Sequence, residues 1–238
     1  MLTKKQYSIY ILFAAVIVYV ISSYMVLGWG NQVLAAAIPE DHYFENVGAL
    51  SFFATSVLFF IAFLYARQAK AFWVKQLFCL AFALLFFFGA GEEISWGQRI
   101  FNVATPESIN AVNMQGEINV HNLSFGGVTI PFETFFDLLW LSYTVVLPLA
   151  AMFIKPFEKF ATRFVPIVPW AVGVTFATNY LWAKVAKVVY EAGYHYDFIP
   201  FRQAVQEVKE GNYAVLFALT ALFVFWEMKA LAKESPRS

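Results

Sequence analysis

The 238-residue sequence has few charged side chains and almost no cysteine. Only 13% of its residues are Asp, Glu, Lys or Arg, about half the share found in ordinary soluble domains, and the positive and negative charges cancel. The single Cys79 excludes an intrachain disulfide and a multi-cysteine metal site. No basic patch is present, so nucleic acid is not expected as a partner.

Apolar and aromatic residues take the place of charge. Hydrophobic side chains make up 61% of the chain and aromatic ones 20%, including 28 Phe, and the mean hydropathy is +0.62. Because a bilayer core of about 30 Å requires roughly 20 apolar residues per helix, six segments are predicted to span a membrane. They are residues 7–27, 47–66, 76–91, 132–154, 164–183 and 213–230. The predicted fold is an all-α polytopic membrane bundle, a single transmembrane domain over residues 1–238, with the lipid bilayer as partner.

The basic residues predict how these helices are oriented, because cytoplasmic loops of membrane proteins carry an excess of Lys and Arg. Eleven of the 16 basic residues fall on one side of the predicted spans: Lys4, Lys5, Arg67, Lys70, Lys75, Lys155, Lys159, Arg163, Lys229, Lys233 and Arg237. This asymmetry predicts that both termini are cytoplasmic. The longer segments 28–46, 92–131 and 184–212 then face outside, and short helices within them are predicted to lie at the outer interface.

The strongest local pattern follows the third predicted span, where residues 89–99 read Gly-Ala-Gly-Glu-Glu-Ile-Ser-Trp-Gly-Gln-Arg. Two adjacent carboxylates at such a position are costly unless they are paired, hydrated or bound to a cation. On a continuing helix Glu92, Trp96 and Arg99 share one face, so Arg99 is expected to neutralise Glu92 while Glu93 points elsewhere. Two interpretations stay open: Glu93 is a general acid or base, or the Glu92–Arg99 pair only fixes a turn.

Carboxylates also lie close in sequence to the three histidines. Glu117 and His121 are spaced to share a face of a helix, and Glu191 and His195 repeat this spacing. Because imidazole and carboxylate ligands without thiolates suit Zn, Fe or Mn, a divalent metal is one interpretation. The candidate metal ligands are Glu93, Glu117, His121, His42 and His195. The other interpretation is a set of hydrogen bonds within a polar loop rich in Asn and Gln.

Two features elsewhere bear on the same outer region. Residues 200–210 predict an amphipathic helix lying in the membrane plane, ended by Gly211-Asn212. Glu133 and Asp137 lie one turn apart at the start of the fourth span, where the positive end of a helix stabilises acids. If they face the bundle interior, they extend the acidic region inward, and Asn179 contributes similarly.

Three stretches carry a resemblance to known proteins: Glu40-Asp41 with Glu45, the run from Gly91 to Arg99, and the run from Asn113 to Asn122. Through them residues 40–125 resemble an uncharacterised family of bacterial integral membrane proteins, which implies a location in the bacterial inner membrane. The pair Glu92-Glu93 followed by Arg99 is also weakly similar to CPBP intramembrane proteases. In those proteases the Arg follows after three residues rather than five, and a Phe-x-x-x-His motif follows that this sequence lacks.

These features lead to three functional hypotheses. The first is a membrane-embedded hydrolase or transferase that acts on a lipid, a lipid-linked molecule or a membrane peptide, with Glu92, Glu93, Arg99, Glu117 and His121 as catalytic residues. The second is a transporter, which the clustering of polar residues at one end of the bundle disfavours. The third is a non-catalytic membrane subunit or assembly factor. The enzyme hypothesis requires side chains far apart in the chain to meet in one water-accessible hollow.

Overall fold

The structure, a computed structural model, describes residues 4–39, 42–98, 100–113, 116–120, 122–125, 128–129 and 131–235. Helices dominate, which confirms the predicted all-α class. They are α1 Lys4–Ser23, α2 Asn31–Ala37, α3 Tyr43–Gln68, α4 Trp73–Glu93, α5 Glu107–Asn110, α6 Phe132–Trp140, α7 Leu147–Phe153, α8 Lys155–Phe164, α9 Trp170–Tyr190 and α10 Phe201–Glu234. The described residues add one unpredicted feature, a hairpin of two short antiparallel strands, β1 Ser124–Phe125 and β2 Val128–Thr129.

Five helical stretches are long and apolar enough to cross a membrane: Ser8–Gly28, Tyr43–Gln68, Trp73–Glu93, Phe132–Phe153 and Phe201–Glu234. They support a multi-pass membrane protein. The predicted fifth span is not among them, although α9 occupies most of its sequence. Its helix starts at Trp170 rather than near residue 164, because Pro166 and Pro169 interrupt the chain. Asn179, Lys184 and Lys187 also lower the hydropathy of this helix.

The longest helix, α10, corrects one boundary of the sequence analysis. The amphipathic stretch 200–210 is not a separate helix in the membrane plane, since it forms the first turns of α10 and continues through Gly211-Asn212 without a break. Close packing explains both residues. A Cβ at position 211 would lie 3.1 Å from Phe44 of α3, and Asn212 is fully buried with hydrogen bonds to neighbouring helices. They mark a helix contact rather than a helix end.

The bundle core is built from aromatic rings and small residues. Phe59, Phe86, Phe176 and Phe217 are fully buried, and the Phe217 ring centroid lies 4.8 Å from that of Phe86 and 5.0 Å from that of Phe176. Between these rings α3, α4, α9 and α10 bury a set of small side chains: Ala62, Ala66, Ala83, Ala90, Ala183, Ala214 and Ala221. Helices in a bilayer associate by such close packing, because lipid supplies little hydrophobic drive between them.

We call the end of the bundle that holds the start of α3, the end of α4 and the start of α10 the outer end, and the opposite one the inner end. Helices α9 and α10 are antiparallel. Asn179 of α9 contacts Lys209 and Asn212 of α10, whereas Phe176, one turn earlier, contacts Tyr213 and Phe217. The second half of α9 therefore lies at the outer end with the first turns of α10.

A glycine sets the closest helix crossing in the described bundle. Helices α6 and α7 are joined by a π-helical turn, Leu141–Val146, a local widening that is uncommon within helices. A side chain at Gly173 of α9 would overlap the backbone carbonyl of Thr144 in this turn and approach Val145 Cγ2 to 2.7 Å. Because backbone atoms cannot rotate away as side-chain atoms can, this crossing requires glycine.

We therefore expect Gly173→Ala to lower the free energy of unfolding by about 1–3 kcal/mol, the usual cost of overpacking a core. Gly193→Ala is the matched control, because a Cβ there meets nothing within 4 Å. Thermal unfolding of the purified protein in detergent measures both. Equal midpoints for the two variants and the wild type would contradict the crossing.

Candidate functional site at the outer end

Helix α4 ends in a left-handed turn. Ser95, Trp96 and Gly97 have φ angles of 45°, 54° and 76°, a backbone conformation that costs free energy for the two non-glycine residues. The turn folds the Trp96 ring back over Gly91, where a Cβ would lie 2.8 Å from the ring. The helix therefore ends at Glu93 and does not continue through Ser95–Gly97, as a common face from Glu92 onward would require. Arg99 itself lies outside the described residues.

The buried Glu92 carboxylate closes this turn and also holds the following loop. The Trp96 indole Nε1 donates to its Oε1 at 2.7 Å, and the backbone N–H of Val120 donates to its Oε2 at 2.6 Å. Hydrogen bonds to an ionised acceptor are among the stronger ones in proteins. Glu92 therefore joins two segments that are 28 residues apart in sequence.

Glu117 makes a second link between the same segments. Its Oε2 accepts hydrogen bonds from the Ser95 hydroxyl and, at 2.9 Å, from Asn119 Nδ2. Asn113 completes the arrangement, because its side chain donates to Asn119 Oδ1 at 2.9 Å and accepts from the backbone N–H of Glu117 at 3.1 Å. Residues 116–120 are not helical, so the helix on which a shared face for Glu117 and His121 depended is not present in them. His121 lies outside the described residues.

Gln98 forms a third link. Its Oε1 accepts from the backbone N–H of Ile118 at 2.6 Å, and its Nε2 donates to the Thr105 hydroxyl at 2.5 Å. Thr105 in turn donates to the backbone carbonyl of Gly116 at 2.5 Å. The two polar motifs of the sequence thus meet in space as one hydrogen-bonded unit. We call it the loop interlock, formed by Glu92, Ser95, Gln98, Glu117 and Asn119.

Glu93 points away from the loop interlock. Its carboxylate lies against α3, since a Cβ at Gly48 would be 3.1 Å from Glu93 Oε2. Partly buried there, it interacts electrostatically with Glu45 of α3 and with Glu207 and Glu210 of α10. We call these four residues the carboxylate cluster. Its members come from three helices and lie up to 165 positions apart in the numbering of the chain. Their charges repel that of Glu93, but no three of the four are close enough to share a metal ion, and Glu210 is exposed to solvent.

Polar groups continue from the outer end into the bundle. The buried Lys209 of α10 forms an ion pair with Glu133 of α6. Asp137 Oδ1 accepts from the Tyr213 hydroxyl at 2.8 Å and from Trp140 Nε1 at 2.9 Å. Glu133 and Asp137 therefore both face α10, and they tie α6 to it.

A neighbouring group of buried polar side chains joins α9, α10 and the 3-10 turn Tyr24–Gly28 that follows α1. The hydroxyl of Tyr24 and the Nδ2 of Asn212 both donate to Asn179 Oδ1, at 2.8 and 3.0 Å. Asn179 Nδ2 donates to the backbone carbonyl of Lys209 at 3.0 Å. Because water is scarce at this depth, such groups need partners within the protein. Asn179 lies in the polar interior, as the sequence indicated.

The histidines do not assemble a metal site from the described residues. His42 occupies the N-cap position of α3 with an exposed side chain. His195 is exposed in the connection to α10, and the chain between it and Glu191 turns from a short 3-10 helix to extended backbone. Across the described ranges, no three His, Cys, Asp or Glu side chains could hold a metal ion together. The structure thus gives the metal interpretation no support.

Comparisons of this chain with protein-family models, with curated proteins and with solved structures find no match. The resemblances drawn from the sequence motifs therefore stay predictions.

Sequence reasoning missed the partners that α10 supplies. Glu207 and Glu210 join the carboxylate cluster, and Lys209, Asn212 and Tyr213 join the polar interior. Lys209, Asn212 and Tyr213 have helical spacing and share a face of α10. This spacing is visible in the sequence. It was missed because the predicted helix 200–210 ended at Gly211-Asn212, which assigned Lys209 and Tyr213 to different helices.

We expect Glu92→Ala to loosen the loop interlock, because two hydrogen bonds to a buried carboxylate are lost at about 1.5–3 kcal/mol each. Hydrogen exchange of the Val120 amide should become faster, and proteolysis between residues 98 and 131 should accelerate. Glu107→Ala is the control, since Glu107 lies exposed in the same loop. Unchanged exchange at Val120 in the Glu92 variant would refute the role given to this carboxylate.

Proposed function

We propose that the protein is a six-span enzyme of the bacterial inner membrane, a hydrolase or transferase acting at the outer face on a lipid, lipid-linked or membrane-peptide substrate. Glu93 is its proton-transferring group. The observation that carries the proposal is the position of Glu93 in the carboxylate cluster, at an end of the bundle where Glu210 is exposed to solvent. Ionisable groups kept at membrane depth are by default functional.

The adjacent carboxylates of Glu92 and Glu93 have different roles in this proposal. Both carboxylate oxygens of Glu92 accept hydrogen bonds from the protein, and an oxygen of Glu117 accepts two more. These bonds suit positioning residues that shape the outer loop. Glu93 instead faces other acidic side chains across Gly48, a suitable place to accept or donate a proton. For the other two residues we keep the roles that the motifs indicate. Arg99 binds an anionic group of the substrate, and His121 is a second base.

The topology belongs to the same proposal. Helix α9 has 21 residues, about 32 Å at 1.5 Å per residue, and it packs in the core through Val172 and Phe176. Together with the extended residues 165–169 it completes a sixth crossing. Six crossings place both termini on the cytoplasmic side, which agrees with the distribution of basic residues.

A non-catalytic subunit is the second candidate, favoured by one observation. Beside the loop interlock, Ile100, Phe101 and Val103 are 72%, 75% and 50% exposed. Contiguous exposed apolar residues mark a contact with protein or lipid. A partner that covers this stretch would account for it without chemistry at Glu93.

We expect Glu93→Gln to abolish turnover while the protein still folds, because the amide fills the same space but transfers no proton. The test compares untargeted profiles of membrane lipids and lipid-linked intermediates from cells that produce the wild type, Glu93→Gln or Glu107→Gln at equal levels. The wild type and Glu107→Gln should shift the same species, and Glu93→Gln should match the empty vector. If the Glu93 variant gives the wild-type profile, the enzyme hypothesis is contradicted and the non-catalytic subunit becomes the favoured function.

Reporter fusions test the six crossings. Green fluorescent protein at either terminus should fluoresce, and alkaline phosphatase inserted after Gly193 should be active, because the termini are then cytoplasmic and the connection from α9 to α10 is outside. Five crossings would put one terminus on each side of the membrane, so a phosphatase-active, non-fluorescent C-terminal fusion would overturn this topology.

A further inference from the structure

A cavity of about 530 Å³ opens at the inner end of the bundle, away from the candidate site. This volume lies within the range of small-molecule binding sites. Helices α7 to α10 line it, with residues that include Pro148, Met152, Lys155, Glu158, Trp170 and Glu227. None of them belongs to the loop interlock or the carboxylate cluster.

Irregular backbone forms one wall of this cavity. Between α8 and α9 the chain is not helical over residues 165–169, and Ile167 and Val168 of this stretch line the cavity. The Tyr143 hydroxyl donates to the carbonyl of Pro166 at 3.1 Å and holds the stretch in place. Non-helical backbone at membrane depth is tolerated where it is buried in protein or lines a water-filled cavity. The break before α9, in the fifth crossing in chain order, is therefore consistent with a polar ligand or water in this space.

The charges at this cavity balance. Lys75, only 7% exposed, pairs with Glu227 at 3.5 Å, and Lys155 pairs with Glu158 at 3.0 Å. The two carboxylates and Lys155 line the space directly, and Lys75 stands behind Glu227. One positive and two negative groups thus line the opening, and Lys75 offsets the second carboxylate through its pair with Glu227. Most of the remaining wall, including Pro148 and Met152, is apolar, and Thr162 adds a hydroxyl.

We infer that the inner cavity binds the headgroup of a zwitterionic phospholipid that carries a primary ammonium group, phosphatidylethanolamine. Its ammonium has three N–H donors for Glu227 and Glu158, and its phosphate is matched by Lys155. The apolar wall accommodates the start of an acyl chain. A choline headgroup has no N–H donors for the carboxylates, and a headgroup with net negative charge would add a charge that the balanced pairs Lys75–Glu227 and Lys155–Glu158 do not offset.

Native mass spectrometry of the full chain in detergent, with phosphatidylethanolamine, phosphatidylcholine or phosphatidylglycerol added at equal concentrations, tests the assignment. The wild type should retain phosphatidylethanolamine preferentially. Glu158→Gln and the double variant Lys75→Met/Glu227→Gln should bind it about tenfold more weakly, the loss typical of removing a charged hydrogen-bond acceptor. The double variant removes both members of the buried pair, so it leaves no unpaired charge that would unfold the protein.

Glu234→Gln is the matched control, because Glu234 is exposed at the end of the same helix and does not line the cavity. It should bind like the wild type. Equal retention of the three lipids, or wild-type retention by both cavity variants, would overturn the inference. Binding of soluble glycerophosphoethanolamine with no retained lipid would also overturn it, since the ligand would then be a free amine rather than a membrane lipid.

Discussion

Charged and polar side chains inside a membrane bundle need partners from the protein, since the surrounding lipid offers none. This constraint shapes both ends of the molecule. At the outer end the carboxylate of Glu92 is satisfied by Trp96 and by the backbone of Val120, which draws a loop over the end of α4. At the inner end Lys75 forms an ion pair with Glu227 of α10. Val120 lies 28 residues from Glu92, and Glu227 lies 152 residues from Lys75. Satisfying each charge therefore also fixes a contact between distant segments.

The same constraint separates structural from functional acids at the outer end. Glu92 and Glu93 are adjacent, but the helical turn points them toward different neighbours. Glu92 is surrounded by hydrogen-bond donors, whereas Glu93 lies among Glu45, Glu207 and Glu210. A carboxylate placed among other carboxylates adds nothing to the stability of the fold through those neighbours. The role proposed for Glu93 rests on this difference between the two acids.

The sequence predicted the helical membrane architecture well, because runs of about 20 apolar residues have few alternative structures. It also identified the two motifs that meet. It left open whether Glu133, Asp137 and Asn179 face the interior, because acids at the start of a helix are also stabilised by the helix end itself. The residues that follow Glu93 and Glu117 were expected to be helical, but the described ones are not. Positive φ angles at Ser95 and Trp96 cannot be inferred from residue types that usually avoid them. Gly211-Asn212 resembles a helix end in the sequence, because small and polar residues are favoured both at helix ends and at close helix contacts.

The convergence of α3, α4 and α10 at the carboxylate cluster is the central claim. Its direct measurement is crosslinking of Glu45→Cys with Glu207→Cys by a short thiol reagent, in a chain whose buried Cys79 is replaced by Ser. We predict efficient intramolecular crosslinking for this pair. We predict none for Glu45→Cys with Glu234→Cys, because 27 helical residues place position 234 about 40 Å from position 207. Failure of the first pair to crosslink in folded protein would show that the carboxylates do not meet.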